Sequence, residues 1–215
     1  MNSISHIGRF APLLAAPLLL AGCDSSVLTP DVETEIAEIR SGQYSLDRDH
    51  ATLIWKVDHL GFSTYIGRFN DFDASLDFDP ENIENSSLEV IVNTASLDVN
   101  LPAFEDELRA DWFNVEQFPQ AVYRTTSLAE TIDENTFVFN GELTFMGVTA
   151  PVALEVDFHR GARDISRRLQ YVIGFSASAS VQRSAFGLDN LVNIGIGDEV
   201  ELEIHVEFIN TDGGS

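Results

Sequence analysis

Residues 70–78 read NDFDASLDF, and residues 199–208 read EVELEIHVEF. In the first, Phe72, Ala74, Leu76 and Phe78 alternate with Asp71, Asp73, Ser75 and Asp77. In the second, Val200, Leu202, Ile204, Val206 and Phe208 alternate with Glu199, Glu201, Glu203, His205 and Glu207. Successive side chains of a strand point to opposite faces, so a period of two gives one dry face and one wet face. Both segments therefore read as half-buried β-strands.

The same period recurs from Gly42 onward. In residues 50–59, Ala51, Leu53, Trp55 and Val57 share a face. In residues 87–94, Leu88, Val90 and Val92 do so. Further strands are read at 121–129, 137–145, 151–158 and 170–181. Met146-Gly147-Val148-Thr149 is the hairpin connection between two of them. These segments make eight strands, most of them longer than the usual five or six residues, a length suited to a barrel. Short loops favour antiparallel neighbours, and no long helices alternate with the strands. The predicted fold is all-β, an eight-stranded antiparallel barrel spanning 42–210. One helical insertion is expected at PAFEDELRADWF, residues 102–113, with Asn100 as its cap and Pro102 in its first turn. Its Ala103, Leu108, Trp112 and Phe113 are placed over a barrel mouth.

The chain of 215 residues carries a formal charge of −23. Such a surface repels phosphate backbones, which argues against nucleic acid as a partner and against a polybasic grip on anionic lipid. Lys56 is the single lysine against eleven arginines. Adaptation to high salt and a bias toward arginine codons both account for this. One cysteine excludes an internal disulfide.

That cysteine, Cys23, follows the apolar run APLLAAPLLLAG of residues 11–22, with Arg9 before it. The run has the length of a signal-peptide core and is too short to span a bilayer. Leu20-Ala21-Gly22-Cys23 matches a bacterial lipobox. Residues 1–22 are therefore read as a lipoprotein signal peptide and Cys23 as the acylated anchor. By analogy with enteric bacteria, Asp24 tilts the expected location toward the periplasmic side of the inner membrane. Residues 23–41 read as an acidic, solvated tether with no packed core, apart from a short helix within 31–40. Residues 211–215 read as a disordered tail.

An eight-stranded barrel either fills with side chains or holds one small ligand. Ala177 and Ala179 beside Phe175 leave volume, and fifteen phenylalanines supply apolar lining. By strand-face parity the lining residues are Leu53, Trp55, Val57, Phe72, Leu76, Leu88, Val90, Tyr123, Phe175 and Leu202. His59 and Arg183 are the polar candidates for a ligand head group; otherwise His59 satisfies backbone groups, and Arg183 pairs with one of the many carboxylates or hydrogen-bonds loop carbonyls. His50 and His59 stand some ~30 Å apart along one strand, too far for one metal ion. Arg160, Arg163, Arg167 and Arg168 form the one basic cluster, in a loop. It fits lipid phosphates or acid balanced elsewhere on the surface. No G-x-S-x-G or H-E-x-x-H is present, and the reading is a binding protein, not an enzyme.

Residues 42–209 resemble the YceI-like family, the bacterial polyisoprenoid-binding, lipocalin-like proteins. The likeness lies in Tyr44, Leu46, Asp47, His50, Trp55, Val57, His59, Gly61, Ser63, Gly67 and Phe69. It continues through Asp77-Phe78-Asp79-Pro80, Ala95-Ser96-Leu97, Leu108, Trp112-Phe113 and Phe118-Pro119. The segment from Gly141 to Val152 is the most telling. Gly174-Phe175-Ser176-Ala177, Arg183 to Leu188 and Gly197-Asp198-Glu199-Val200 complete it. Ala51, Trp55, Tyr123 and Ala185 depart from the family's usual Ser, Phe, Phe and Asp. The resemblance implies a lipocalin-like barrel around a closed apolar tunnel, needing no cofactor and holding an isoprenoid lipid, a quinone or a similar amphiphile. The expected partners are that ligand, the membrane through the acylated N-terminus, a second copy of the chain, or an inner-membrane redox partner. An alternative function follows by analogy: accessory subunit of a cytochrome b561-type or quinone-linked system.

Overall fold

The computed structural model describes residues 32–212; the segment read as a signal peptide, Cys23 and the first part of the expected tether lie outside them. Twelve strands form one antiparallel sheet. They are β1 (Val32–Glu33), β2 (Gly42–Leu46), β3 (Thr52–His59), β4 (Ser63–Phe69), β5 (Phe72–Phe78), β6 (Ser87–Asn93) and β7 (Leu97–Asp98). After the helix come β8 (Gln120–Thr131), β9 (Thr136–Phe145), β10 (Val148–Asp164), β11 (Gln170–Gln182) and β12 (Ile196–Asn210). Pairing runs β2, β5, β6, β8, β9, β10, β11, β12 and back to β2, a closed eight-stranded barrel with no open edge around that ring.

Three of the eight staves are broken strands laid end to end. β2 and β3 both pair with β12, the first through Leu46↔Phe208 and the second through Thr52↔His205. Their junction is a single 3-10 turn at Arg48–His50, begun by the Asp47 carboxylate accepting from the Asp49 amide at 3.2 Å. β4 continues into β5, and β6 into β7, in the same way. The predicted count of eight therefore holds, although the half-strand 63–69 escapes the alternation rule, whereas 42–46 obeys it with Tyr44 and Leu46 buried and Gln43 and Ser45 exposed. Residues 63–69 read STYIGRF, where Tyr65 and Gly67 face inward and the outward Ile66 is itself apolar. No polar–apolar contrast marks that face.

β5 shows the rule at its clearest, with Phe72, Ala74, Leu76 and Phe78 buried and Asp73, Ser75 and Asp77 exposed. The β9–β10 hairpin turns through Met146 and Gly147, both at positive φ (50° and 77°). A two-residue turn of that hand matches the twist of its strands, and glycine meets the second position without strain. The helix is shorter than expected: α1 (Pro102–Glu107) passes into a π turn at Leu108–Trp112. Asn100 does not cap it. Asn100 sits at φ 64° and Leu101 takes the cap position, while the Glu105 carboxylate accepts from the Val99 amide at 3.1 Å.

The described part of the acidic tether corrects the sequence reading. β1 pairs with β10 through Val32↔Ala162, and a 3-10 turn at Ile36–Glu38 follows. Ile39 is buried in the main core beside Tyr44 and Tyr171, with Ile36 packed against it. Arg40 lies 4.5 Å above the Tyr171 ring, and Tyr171 hydrogen-bonds Glu33. Two isoleucines three residues apart were outweighed in the sequence by the acids around them.

Most ion pairs are exposed, among them Arg48–Asp71, Arg124–Glu89 and Arg68–Asp98. Exposed pairs contribute little, so uncompensated acid self-repulsion is the larger electrostatic effect on the fold. Raising NaCl from low ionic strength to molar levels is expected to raise Tm by at least ~3 °C, about 1 kcal/mol for a domain of this size. A calorimetric Tm independent of salt would contradict this.

Candidate functional site

Two apolar cavities lie end to end along the barrel axis. The first, of about 170 Å³, runs from Ile36 and Ile83 past Phe78, Leu76 and Phe175. The second, of about 270 Å³, runs from Trp55 and Val57 to Leu191 under the helical insertion. Leu53, Val92, Leu143 and Leu202 line both and form a waist between them. Together the volumes fall within the ~300–1,000 Å³ of small-molecule sites.

All twelve side chains singled out from the sequence line these spaces. Phe72, Leu76, Leu88, Val90, Tyr123 and Phe175 face the first cavity, with Ala177 and Ala179 supplying the predicted slack. Trp55, Val57, His59 and Arg183 face the second, and Leu53 and Leu202 stand at the waist. Leu88, Val90, Trp55 and Leu202 are only half-buried, because they border open volume rather than other side chains.

Residues from the insertion complete the second cavity. Phe104, Leu108, Trp112 and Phe113 roof it, while Ala103, expected there, does not line it. Trp55, Tyr65, Phe104 and Trp112 form a chain of rings with centroids 6.0, 6.2 and 6.2 Å apart. Tyr65 was not anticipated, since its strand was not.

Two glycines make room for rings. A Cβ on Gly67 would lie 2.3 Å from the Trp55 indole, and one on Gly141 would lie 2.3 Å from the Tyr123 hydroxyl. Gly67→Ala is expected to destabilise by about 2 kcal/mol through overpacking and to shift Trp55 emission. Urea denaturation with tryptophan fluorescence reads both, and an unchanged midpoint would argue against this packing.

The polar groups of the lining are mostly engaged with backbone. The Tyr123 hydroxyl donates to the Val152 carbonyl at 3.4 Å, and burial pushes its pKa up to about 12. The Thr125 hydroxyl accepts from the Leu88 amide at 2.9 Å. Arg183 is 8% exposed and donates to the carbonyls of Gly197 (2.7 Å), Leu188 (2.5 Å) and Ile196 (3.3 Å). Burial lowers its pKa, yet no carboxylate pairs with it directly among the described residues. Of the readings of Arg183 as head-group ligand, ion-pair partner or donor to loop carbonyls, the last is the one observed. Trp55 differs, because its Nε1 is buried in this lining without a partner.

His50 belongs elsewhere, at the opposite end of β3 from His59. Its Nδ1 lies 2.9 Å from Asp47, in a group with Glu207 that has metal-ligand spacing. Arg167 already serves as the cation there, pairing with Asp47, with Glu207 at 2.8 Å and with Asp164 at 3.2 Å. A divalent ion would have to displace a guanidinium, so the arrangement fits an ion-pair network better than a metal centre.

The model of the YceI-like domain matches residues 44–208. The chain belongs to the YceI-like family. A UPF0312 protein of Yersinia enterocolitica is 34% identical over 171 residues, covering 78% of this chain and 86% of its own. The YceI protein of Campylobacter jejuni superposes with a TM-score of 0.62 at 27% identity, over 73% of this chain and 91% of that one. A polyisoprenoid-binding domain from Saccharophagus degradans, implicated in plant cell wall breakdown, superposes at 0.60 over 80% and 99% of the two chains. At 12% identity it supports the fold alone. The YceI-like barrel of this chain thus has the predicted class, with the family's segment Gly141–Val152 forming the β9–β10 hairpin.

Proposed function

We propose that this YceI-like protein binds and carries a long-chain isoprenoid lipid, a quinone or a similar amphiphile in its axial cavities. The observation that carries the reading is the pair of apolar spaces meeting at the Leu53–Leu202 waist. An extended tail laid through them is shielded along its length, at roughly 25 cal/mol per Å² of apolar area removed from water. The polyisoprenoid-binding description of the Saccharophagus domain points to the same ligand class. Binding rather than catalysis suits a lining whose polar atoms mostly satisfy the backbone.

The proposal includes export and anchoring: cleavage before Cys23, acylation of its thiol, and residence on the periplasmic side of a bacterial membrane, with the inner membrane favoured by Asp24. Two or three acyl chains would hold the protein firmly, at ~0.8 kcal/mol per buried methylene. The test is to purify the protein from its native membrane, extract with solvent and identify what is released by mass spectrometry. A stoichiometric isoprenoid-tailed lipid is expected. Protein that emerges empty, and takes up no quinone when offered it, would defeat the carrier reading. Co-purification with a membrane redox protein would favour the accessory-subunit alternative.

A further inference from the structure

We infer that the β10–β11 loop is a docking surface for an anionic phospholipid bilayer. The loop joins β10 to β11 and carries Asp164-Ile165-Ser166-Arg167-Arg168-Leu169. Ile165 and Leu169 are 49% and 53% exposed. Around them Arg160, Arg163 and Arg168 are exposed, and none pairs with a carboxylate among the described residues. In a chain with a formal charge of −23, unpaired guanidinium groups and exposed aliphatic side chains coincide here among the described residues. Aliphatic tips flanked by arginines suit the interface of a bilayer, where the tips enter the acyl boundary and the cations meet phosphates.

The loop has a built shape. The Asp164 carboxylate accepts from the amide and hydroxyl of Ser166 at 2.8 and 2.7 Å, and its carbonyl accepts from the Leu169 amide at 2.8 Å. Arg163 donates to the Leu169 carbonyl at 2.9 Å, and Arg168 and Leu169 are both held at positive φ. Beside the loop a surface groove of about 640 Å³ is lined by Arg160, Arg163, Arg167, His50, His159 and His205, with Asp164 and Glu207 as its carboxylates. Arg167 is already paired with Asp47, Asp164 and Glu207, which leaves Arg160 and Arg163 as the guanidinium groups free to meet a phosphate headgroup.

The chain's course points the same way. Val32 pairs with Ala162, so the described chain begins beside this loop. If Cys23 is the anchor, nine residues at ~3.3–3.6 Å each hold this end within about 30 Å of the bilayer. The other end also exposes apolar groups, Leu60, Phe62 and Ile194, but beside the exposed Asp58 and Asp189, and its Arg183 is buried against backbone carbonyls. The carboxylate-free Arg160, Arg163 and Arg168 therefore favour approach of this end to an anionic surface.

Hydrogen–deuterium exchange on the full chain tests this, with phosphatidylcholine vesicles compared against vesicles containing phosphatidylglycerol. Amides of 164–169 are expected to exchange several-fold more slowly on the anionic vesicles alone, with 60–66 and 189–195 unchanged. Ile165→Asp with Leu169→Asp should abolish that protection, and both positions are exposed enough for the fold to tolerate the change. Equal protection on both vesicles, none on either, or protection at 60–66 instead would overturn the inference. The intact mass at Cys23, read in the same samples, reports acylation separately, so failure of the anchor is distinguishable from failure of the docking surface.

Discussion

Leu202→Trp is expected to weaken binding of a long-tailed quinone about 10³-fold while leaving a short-tailed one nearly unaffected. Leu202 stands at the waist, where both cavities share its side chain. An indole there closes the passage and confines a tail to one cavity. Excluding about five methylene-sized units from the second costs ~4 kcal/mol, which is that factor. The larger side chain enters existing space, so stability should change little. Titration of the two quinones by tryptophan quenching separates the outcomes. Equal affinities in variant and wild type would mean that tails do not cross the waist.

Arg183→Met is expected to lower Tm by about 10 °C. The guanidinium closes the 183–197 segment on itself through three backbone carbonyls. A thioether of similar length fills the space but donates nothing. Leaving those acceptors unpaired near the cavity costs ~4 kcal/mol in all. Arg183→Lys should recover less than half, since one ammonium lacks the planar fork that reaches separate carbonyls. Differential scanning calorimetry of the three proteins decides it. A Tm for Arg183→Met within about 2 °C of wild type would show that the segment holds without the arginine.

The pattern of Phe72 to Phe78 was legible because each side chain reports its face through the identity of its neighbours. The same reasoning placed Trp55, Tyr123 and Leu202 on the inner wall. It failed at 63–69, where both faces are apolar in part, and at Ile36 and Ile39, where acids dominate the run. Arg183 was identified as a candidate without its role being decided, since a guanidinium suits a phosphate and a carbonyl equally until the surrounding loop is folded.

What the sequence by itself determined is the period of two, the number of staves and the inward set, because these depend on one strand at a time. What only the tertiary structure decided is the volume left inside. Gly67 yields to Trp55, Gly141 to Tyr123, and Phe104 with Trp112 roof the far end, each across strands or insertions distant in the chain. Empty space is the difference between a barrel's girth and the summed size of side chains from all its walls. No local segment contains that difference.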